Sequence, residues 1–184
     1  MSGRLIRGTA MDRKVRFFAV DIKPVLEELR QRHGTSATAS AALGRTLSTA
    51  AMMGAMLKDD QRLTLQVKGN GPLGQIVVDA NAAGIVRGYV DHPQADLPKN
   101  EMGKLDVAGI VGREGTIYVV KDLGLKEPYH GSVPIVSGEL GEDFTYYYAK
   151  SEQIPVAIGV GVLVNPDHSI LASGGFMLQV MPGA

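Results

Sequence analysis

Four histidines, one arginine in an apolar stretch, an acidic pair and two glycine-rich runs are the places where this sequence could carry chemistry. His33, His92, His130 and His168 lie far apart, each at a helix end or in a turn. None has a partner at the His-x-x-x-His spacing that sets two imidazoles on one helical face for zinc. That pattern describes solvated turn histidines and no metal site. The run GNGPLG would cradle a phosphate only if a helix began behind it to supply N–H donors and dipole. A strand pattern follows, so the run is a hairpin turn, and GVGVLV fails for the same reason. Glu142 and Asp143 could work as an acid–base pair, but nothing in the pattern places a second group opposite them. No Gly-x-Ser-x-Gly elbow is present, and a chain without cysteine has no thiol catalysis, disulfide or cysteine-ligated zinc.

Arg45 stands apart. It is the only charge between Ser36 and Leu57, in the segment SATASAALGRTLSTAAMMGAML. At helical spacing Thr38, Arg45 and Thr49 form a polar stripe that turns apolar at Met52 and Met56. A helix apolar nearly all round is either enclosed in a core or crosses a bilayer. The uninterrupted run Ala50–Leu57 is far below the ~20 residues that a bilayer needs, so the segment is expected to be a buried central helix. A guanidinium there needs a carboxylate, for which Glu139 and Glu152 are the candidates, and we expect a structural ion pair.

The elements around that helix follow from period and punctuation. Leu5–Ala10 and Val15–Val20 read as a hairpin. Asp21 can cap a helix beginning near Pro24, with basic residues late and Gly34 as its stop. From Leu63 the period changes to two, and LTLQV, QIVVDA and IVRGYV form an antiparallel meander. Residues 103–115 hold a short helix or turn before the strand TIYVVKDL. Ser132–Ser137 and Phe144–Ala149 read as further strands, the second on the strength of three consecutive tyrosines. VAIGVGVLV and ILASGGFMLQV close the chain as a hairpin around NPDHS. At least eight strands with one or two clear helices require a helix between sheets, because each sheet must cover an apolar face. The expected fold is α+β: sheet/helix/sheet layers around the buried central helix, mostly antiparallel, in one domain spanning 1–184.

Composition narrows the classes of function. The chain has 19 basic and 19 acidic residues. That balance argues against a protein whose affinity comes from neutralising phosphates, so no nucleic acid is expected. No membrane segment and no signal-peptide pattern are read in the sequence, which points to the cytoplasm.

Five long runs resemble one family: QRHGTSATASAALGRTLSTAAMMGAMLK, GPLGQIVVDANAAGIVRGYV, GKLDVAGIVGREGTIYVVKDLGLKEPYHG, VSGELGEDFTYYYAKSEQIPVAIGVGVLVNPD and ASGGFMLQVMPGA. Together they cover nearly the whole chain and look like the redox-regulated thirty-three-kilodalton chaperonin. The resemblance implies a heat-shock holdase that binds unfolding proteins without ATP. It also implies an N-terminal domain in which sheets enclose a helix. Family members carry in addition a linker and a C-terminal zinc domain with Cys-x-Cys and Cys-x-x-Cys, whose oxidation activates the chaperone. Those cysteines lie outside these residues, so no cofactor is expected here, and we read the sequence as the truncated N-terminal part. The linker is thought to fold over an apolar sheet surface.

An exposed surface of that kind binds something. We expect the meander Leu63–Val90 to supply part of it, with Ile76, Val78, Ile85 and Tyr89 as client-binding candidates, because QIVVDA and IVRGYV are apolar on both faces. The expected partners are unfolded or misfolding proteins and a second copy in a homodimer. Two alternatives have other signatures. A small-molecule enzyme would gather Arg45, His130 and the tyrosines of FTYYY in one cleft. A purely structural dimerisation module would use open edge strands for a homodimer or strand exchange, and its mass in solution across concentration would separate a stable dimer from a monomer with a sticky face.

Overall fold

The computed structural model describes residues 2–184. Two antiparallel sheets sandwich one helix, as the strand count requires. Sheet A takes its strands from the two ends of the chain, β1 (Arg4–Ala10), β2 (Val15–Asp21), β8 (Val156–Val164) and β9 (Ile170–Val180), in the order β1-β2-β9-β8. Sheet B takes the middle, β3 (Arg62–Gly69), β4 (Gln75–Asn81), β5 (Val86–Val90), β6 (Gly115–Asp122) and β7 (Tyr129–Pro134), in the order β5-β4-β3-β6-β7.

Helix α1 (Lys23–His33) starts on Pro24 and stops at Gly34, whose φ of 67° is the left-handed cap that glycine adopts without strain. The Asp21 carboxylate accepts from the Lys23 amide at 3.0 Å, although Ile22 is the N-cap residue. Helix α2 (Ala37–Gly54) follows at once, with the Ser36 hydroxyl accepting from the Ala39 amide at 3.0 Å. Every residue of α2 except Arg45 is buried. Two of its hydroxyls are absorbed locally: Thr46 donates to the Ala42 carbonyl and Thr49 to the Arg45 carbonyl.

The small residues of α2 are what allow the layers to close. A methyl group at Gly44 would stand 2.6 Å from both Leu26 and Val162, and one at Gly54 would stand 2.9 Å from the Asn81 carbonyl oxygen. Such separations are far inside contact distance, so any larger residue would force the sheets apart. Leu63, Leu65, Val67, Ile76 and Val78 of sheet B, and Phe18, Val20 and Met177 of sheet A, meet around the helix in one core.

The segment expected as a strand at Phe144–Ala149 is helical. Helix α4 (Gly141–Tyr147) runs into a single π-helical turn over Tyr148–Glu152. The tyrosines' β-propensity is overridden because Phe144, Tyr147 and Tyr148 lie at i, i+3 and i+4, which brings all three to the core from one helical face. Asp143 fixes the entry. Its buried carboxylate accepts from the amides of Val136 (2.7 Å), Ser137 (2.9 Å) and Leu140 (2.8 Å) and from the Ser137 hydroxyl (3.0 Å). The strand expected over Ser132–Ser137 begins earlier and ends at Pro134, and a short helix α3 (Val107–Val111) occupies part of residues 103–115.

Candidate functional site

The alternation of each strand decides what each sheet offers to solvent. On sheet B, Leu63, Leu65 and Val67 face inward beside Ile76, Val78 and Ala80. The opposite face carries Thr64, Gln66 and Lys68 beside Asp79, Val77 and Gln75, and these side chains satisfy one another. Thr64 donates to Asp79 at 2.6 Å, Arg87 pairs with Asp79 at 3.2 Å, Gln66 donates to Gln75 at 2.7 Å, and the Lys68 ammonium lies 5.4 Å from the centre of the Tyr118 ring. This is a solvated, cross-linked surface.

Two of the four expected client-binding residues are therefore displaced from that role. Ile76 and Val78 are fully buried against α2 and the inner strands, so they hold the sheet to the core and meet no partner. Ile85, in the turn before β5, and Tyr89, on the outer side of β5, are exposed, but Tyr89 shares its face with Arg87 and Asp79.

The outer face of sheet A is of another kind. Cross-strand register puts Ile6, Gly8 and Ala10 of β1 beside Ala19, Phe17 and Val15 of β2. Those in turn stand beside Phe176, Leu178 and Val180 of β9, and β9 beside Ala157, Gly159 and Gly161 of β8. Among the described residues, the only charges of the strands on this face are Arg4 and Asp21, which oppose each other at one end. Phe176 is 48% exposed, Leu178 43%, Val180 42% and Ile6 61%. Four strands at ~4.8 Å spacing and seven residues at ~3.4 Å rise make a platform of about 15 by 20 Å. Its area, about 300 Å², is within the range of the largest apolar patches that monomers expose.

Glycines shape the platform. A methyl at Gly159 would come within 2.5 Å of the Phe176 ring, and one at Gly8 within 2.8 Å of the Phe17 ring. Each ring thus lies over a neighbouring glycine, leaving a flat aromatic surface. The sequence carried the signal in ILASGGFMLQV and VAIGVGVLV, strands apolar on both faces and free of charge. The same criterion does not hold for QIVVDA and IVRGYV, because Asp79 and Arg87 interrupt one face of those strands.

The groups that could have formed a catalytic cleft do not converge. Arg45 donates to the Glu139 carboxylate at 2.7 Å and to the Glu139 carbonyl at 2.9 Å. Glu139 is thus its partner, while Glu152 pairs with Lys121 on the inner side of sheet B. His130 points from the opposite, outer face of that sheet, beside Val120. Tyr147 donates to Glu152 at 2.8 Å, and burial above all pushes its hydroxyl pKa far above the ordinary range, as it does for Tyr148, so both stay protonated. Among the described residues, no group of three or more His, Asp or Glu side chains could hold a metal ion, and no helix is long and apolar enough to cross a membrane.

Comparison with known proteins agrees with this architecture. The family model described as Hsp33 protein matches residues 3–184. The 33 kDa chaperonin of Oceanobacillus iheyensis is 62% identical over all 184 residues, and that of Staphylococcus aureus strain JH9 is 58% identical over 180 residues, 98% of this chain. The chain spans 64% and 61% of the length of those relatives. The crystal structure of the Thermotoga maritima 33 kDa chaperonin (heat shock protein 33 homolog) superposes with a TM-score of 0.91 at 47% identity, covering 96% of this chain and 60% of that one. With the match running from the third residue to the last and the fold shared, this chain belongs to the Hsp33 family of chaperones.

Proposed function

We propose that these residues act as one substrate-binding unit of an ATP-independent holdase, and that the outer face of sheet A is where apolar segments of unfolding proteins are held. The observation that carries this is the continuous, nearly charge-free platform around Phe17, Phe176 and Leu178, for which the fold itself offers no cover. Association there draws on the hydrophobic effect, roughly 25 cal/mol per Å² of apolar surface removed from water, and needs neither nucleotide nor bond chemistry. It is non-directional, which suits clients that share no sequence.

More than a third of the length of the curated relatives lies outside the matched region. In our reading a segment of the longer protein covers the platform at rest and leaves it under oxidising stress. The protein works in the cytoplasm without membrane or nucleic-acid partners, has no catalytic role and forms a homodimer. The test is light scattering from a thermally unfolding client, under reducing conditions and without ATP. These 184 residues are expected to suppress aggregation at near-stoichiometric amounts. A scattering curve identical to that of the client alone would sink the proposal. Sedimentation across a concentration series separates a dimer from a monomer.

A further inference from the structure

We propose that the free edge of β8, with the groove beside it, takes up an extended segment of an unfolding protein as an added strand, and that Lys99 and Lys104 hold an acidic side chain of that segment. The inference rests on the chaperone reading above and specifies the form in which a client is recognised.

Strand β8 is the outermost strand of sheet A and pairs with β9 alone. The Pro155 carbonyl accepts from the Val180 amide at 3.1 Å, which sets the alternation. Ala157, Gly159, Gly161 and Leu163 turn their backbone groups to β9, so Ile158, Val160, Val162 and Val164 turn theirs outward. No backbone hydrogen bond among the described residues engages the outward amides of Val160, Val162 or Val164. The start of α4 covers the strand near Ile158, where a methyl on Gly141 would stand 3.8 Å from the Ile158 carbonyl oxygen. What stays open is Val160–Val164, about 14 Å of edge and room for roughly five residues of a second strand.

Native edges are guarded by charge, proline or a bulge. From Val156 to Leu163 this strand has none of them, and its register shift comes only between Leu163 and Val164. The other edge of the sheet, β1, carries Arg4 and Arg7.

Beside the open edge lies a groove of about 1140 Å³. Val162 and Val164 form one wall, Ala37 and Ala41 of α2 the floor, and the loop from Leu97 to Leu105 the far wall. Lys99 and Lys104 stand on that loop, and no ion pair among the described residues involves either. Two carboxylates line the groove: Asp96, before the loop, is taken by the Thr38 hydroxyl at 2.6 Å and the Leu97 amide at 2.9 Å, and Asp21 accepts from the Lys23 amide, while Glu101 of the loop itself does not line it. The first turn of α2 opens on the same space and adds its positive dipole end. Main-chain groups would supply affinity, apolar walls would receive alternate side chains, and the lysines would select a carboxylate. A second copy fits less well, since its own β8 carries no charge for the lysines to meet.

The test uses fluorescein-labelled eleven-residue peptides of alternating valine and threonine, one with a central glutamate and a twin with lysine, read by fluorescence anisotropy on the whole chain. The glutamate peptide is expected to bind about fivefold more tightly than its twin, and the order to reverse in Lys99→Glu/Lys104→Glu. Val162→Pro removes an outward N–H that has no partner, which an edge strand tolerates, together with side-chain packing on α2, and should weaken both peptides about tenfold when assayed below its lowered melting temperature. Should Val162→Pro unfold the chain, the lysine variant still decides. Equal binding of both peptides to parent and lysine variant overturns the inference, as does occupation of the edge by a second copy in cross-linking. Peptide binding lost in Phe176→Ser/Leu178→Ser but intact in Val162→Pro removes the groove while leaving the platform reading in place.

Discussion

Replacing Phe176 and Leu178 by serine removes the centre of the platform and leaves the core unbroken. A phenylalanine side chain presents about 150–250 Å², so the 48% of Phe176 that is exposed offers a client roughly 100 Å², worth about 2.5 kcal/mol at 25 cal/mol per Å². Leu178, 43% exposed, adds about 1 kcal/mol on the same scale. Together they contribute about 3.5 kcal/mol, which predicts a client affinity reduced about three-hundredfold. The already buried halves of the two side chains contribute a similar amount to folding. The melting temperature should therefore fall by about 7–14 °C for a chain of this size. The assay is suppression of light scattering from an unfolding client, run well below the variant's melting temperature. Tyr118→Ser is the control: it also takes an exposed ring from an outer sheet face, but from polar sheet B. The double variant should need far more protein to protect the client, and the control should match the parent. If the folded double variant protected as well as the parent, or if Tyr118→Ser lost as much, the platform would not be the binding surface.

Three further predictions concern the scaffold. Asp143→Ala strands four donors, the amides of Val136, Ser137 and Leu140 and the Ser137 hydroxyl, and should cost about 3 kcal/mol or more in chemical denaturation. Asp143→Asn keeps part of that network and should cost less. Glu27 accepts from Arg30 and Gln31 and from the Ile170 amide, and the bonded Arg30 guanidinium first of all lowers its pKa to about 2. A depressed carboxylate stabilises the fold above its ordinary value of 4.5 and loses that contribution as pH falls towards 2. Glu27→Gln should therefore cost on the order of 1–2 kcal/mol at pH 7, after allowing for its partial exposure, and little at pH 2, read from urea midpoints at both values. Arg45→Met should change stability by less than about 1 kcal/mol, since the ion pair is half exposed and the substitution also removes a buried Nε with no partner. Glu139→Ala, which leaves the guanidinium behind, should cost more in the same urea titration.

The central helix was legible in the sequence because its small, uncharged residues admit one environment. The hairpins were legible because turn residues such as Asn165, Pro166 and Asp167 punctuate them. The Phe144–Ala149 stretch was misread because aromatic β-propensity is a local signal, whereas the i, i+3, i+4 placement of Phe144, Tyr147 and Tyr148 matters only once a core exists to receive them. The apolar outer face of sheet A was not legible for a related reason. A strand apolar on both sides announces that its second face needs a cover, but which sheet keeps that face open depends on neighbours distant in sequence. Asp79 and Arg87 close one sheet to that role, while β1, β2, β8 and β9 assemble the other from residues more than 130 positions apart.

That last arrangement has a consequence for the birth of the protein. Sheet B and α2 are contiguous along the chain and can form as soon as they leave the ribosome, whereas sheet A waits for β9, the final strand of this stretch, to return and pair with β2. Loop closure of that length is slow, so sheet A assembles late. The order has a consequence: the apolar platform does not exist while its own chain is still unfolded.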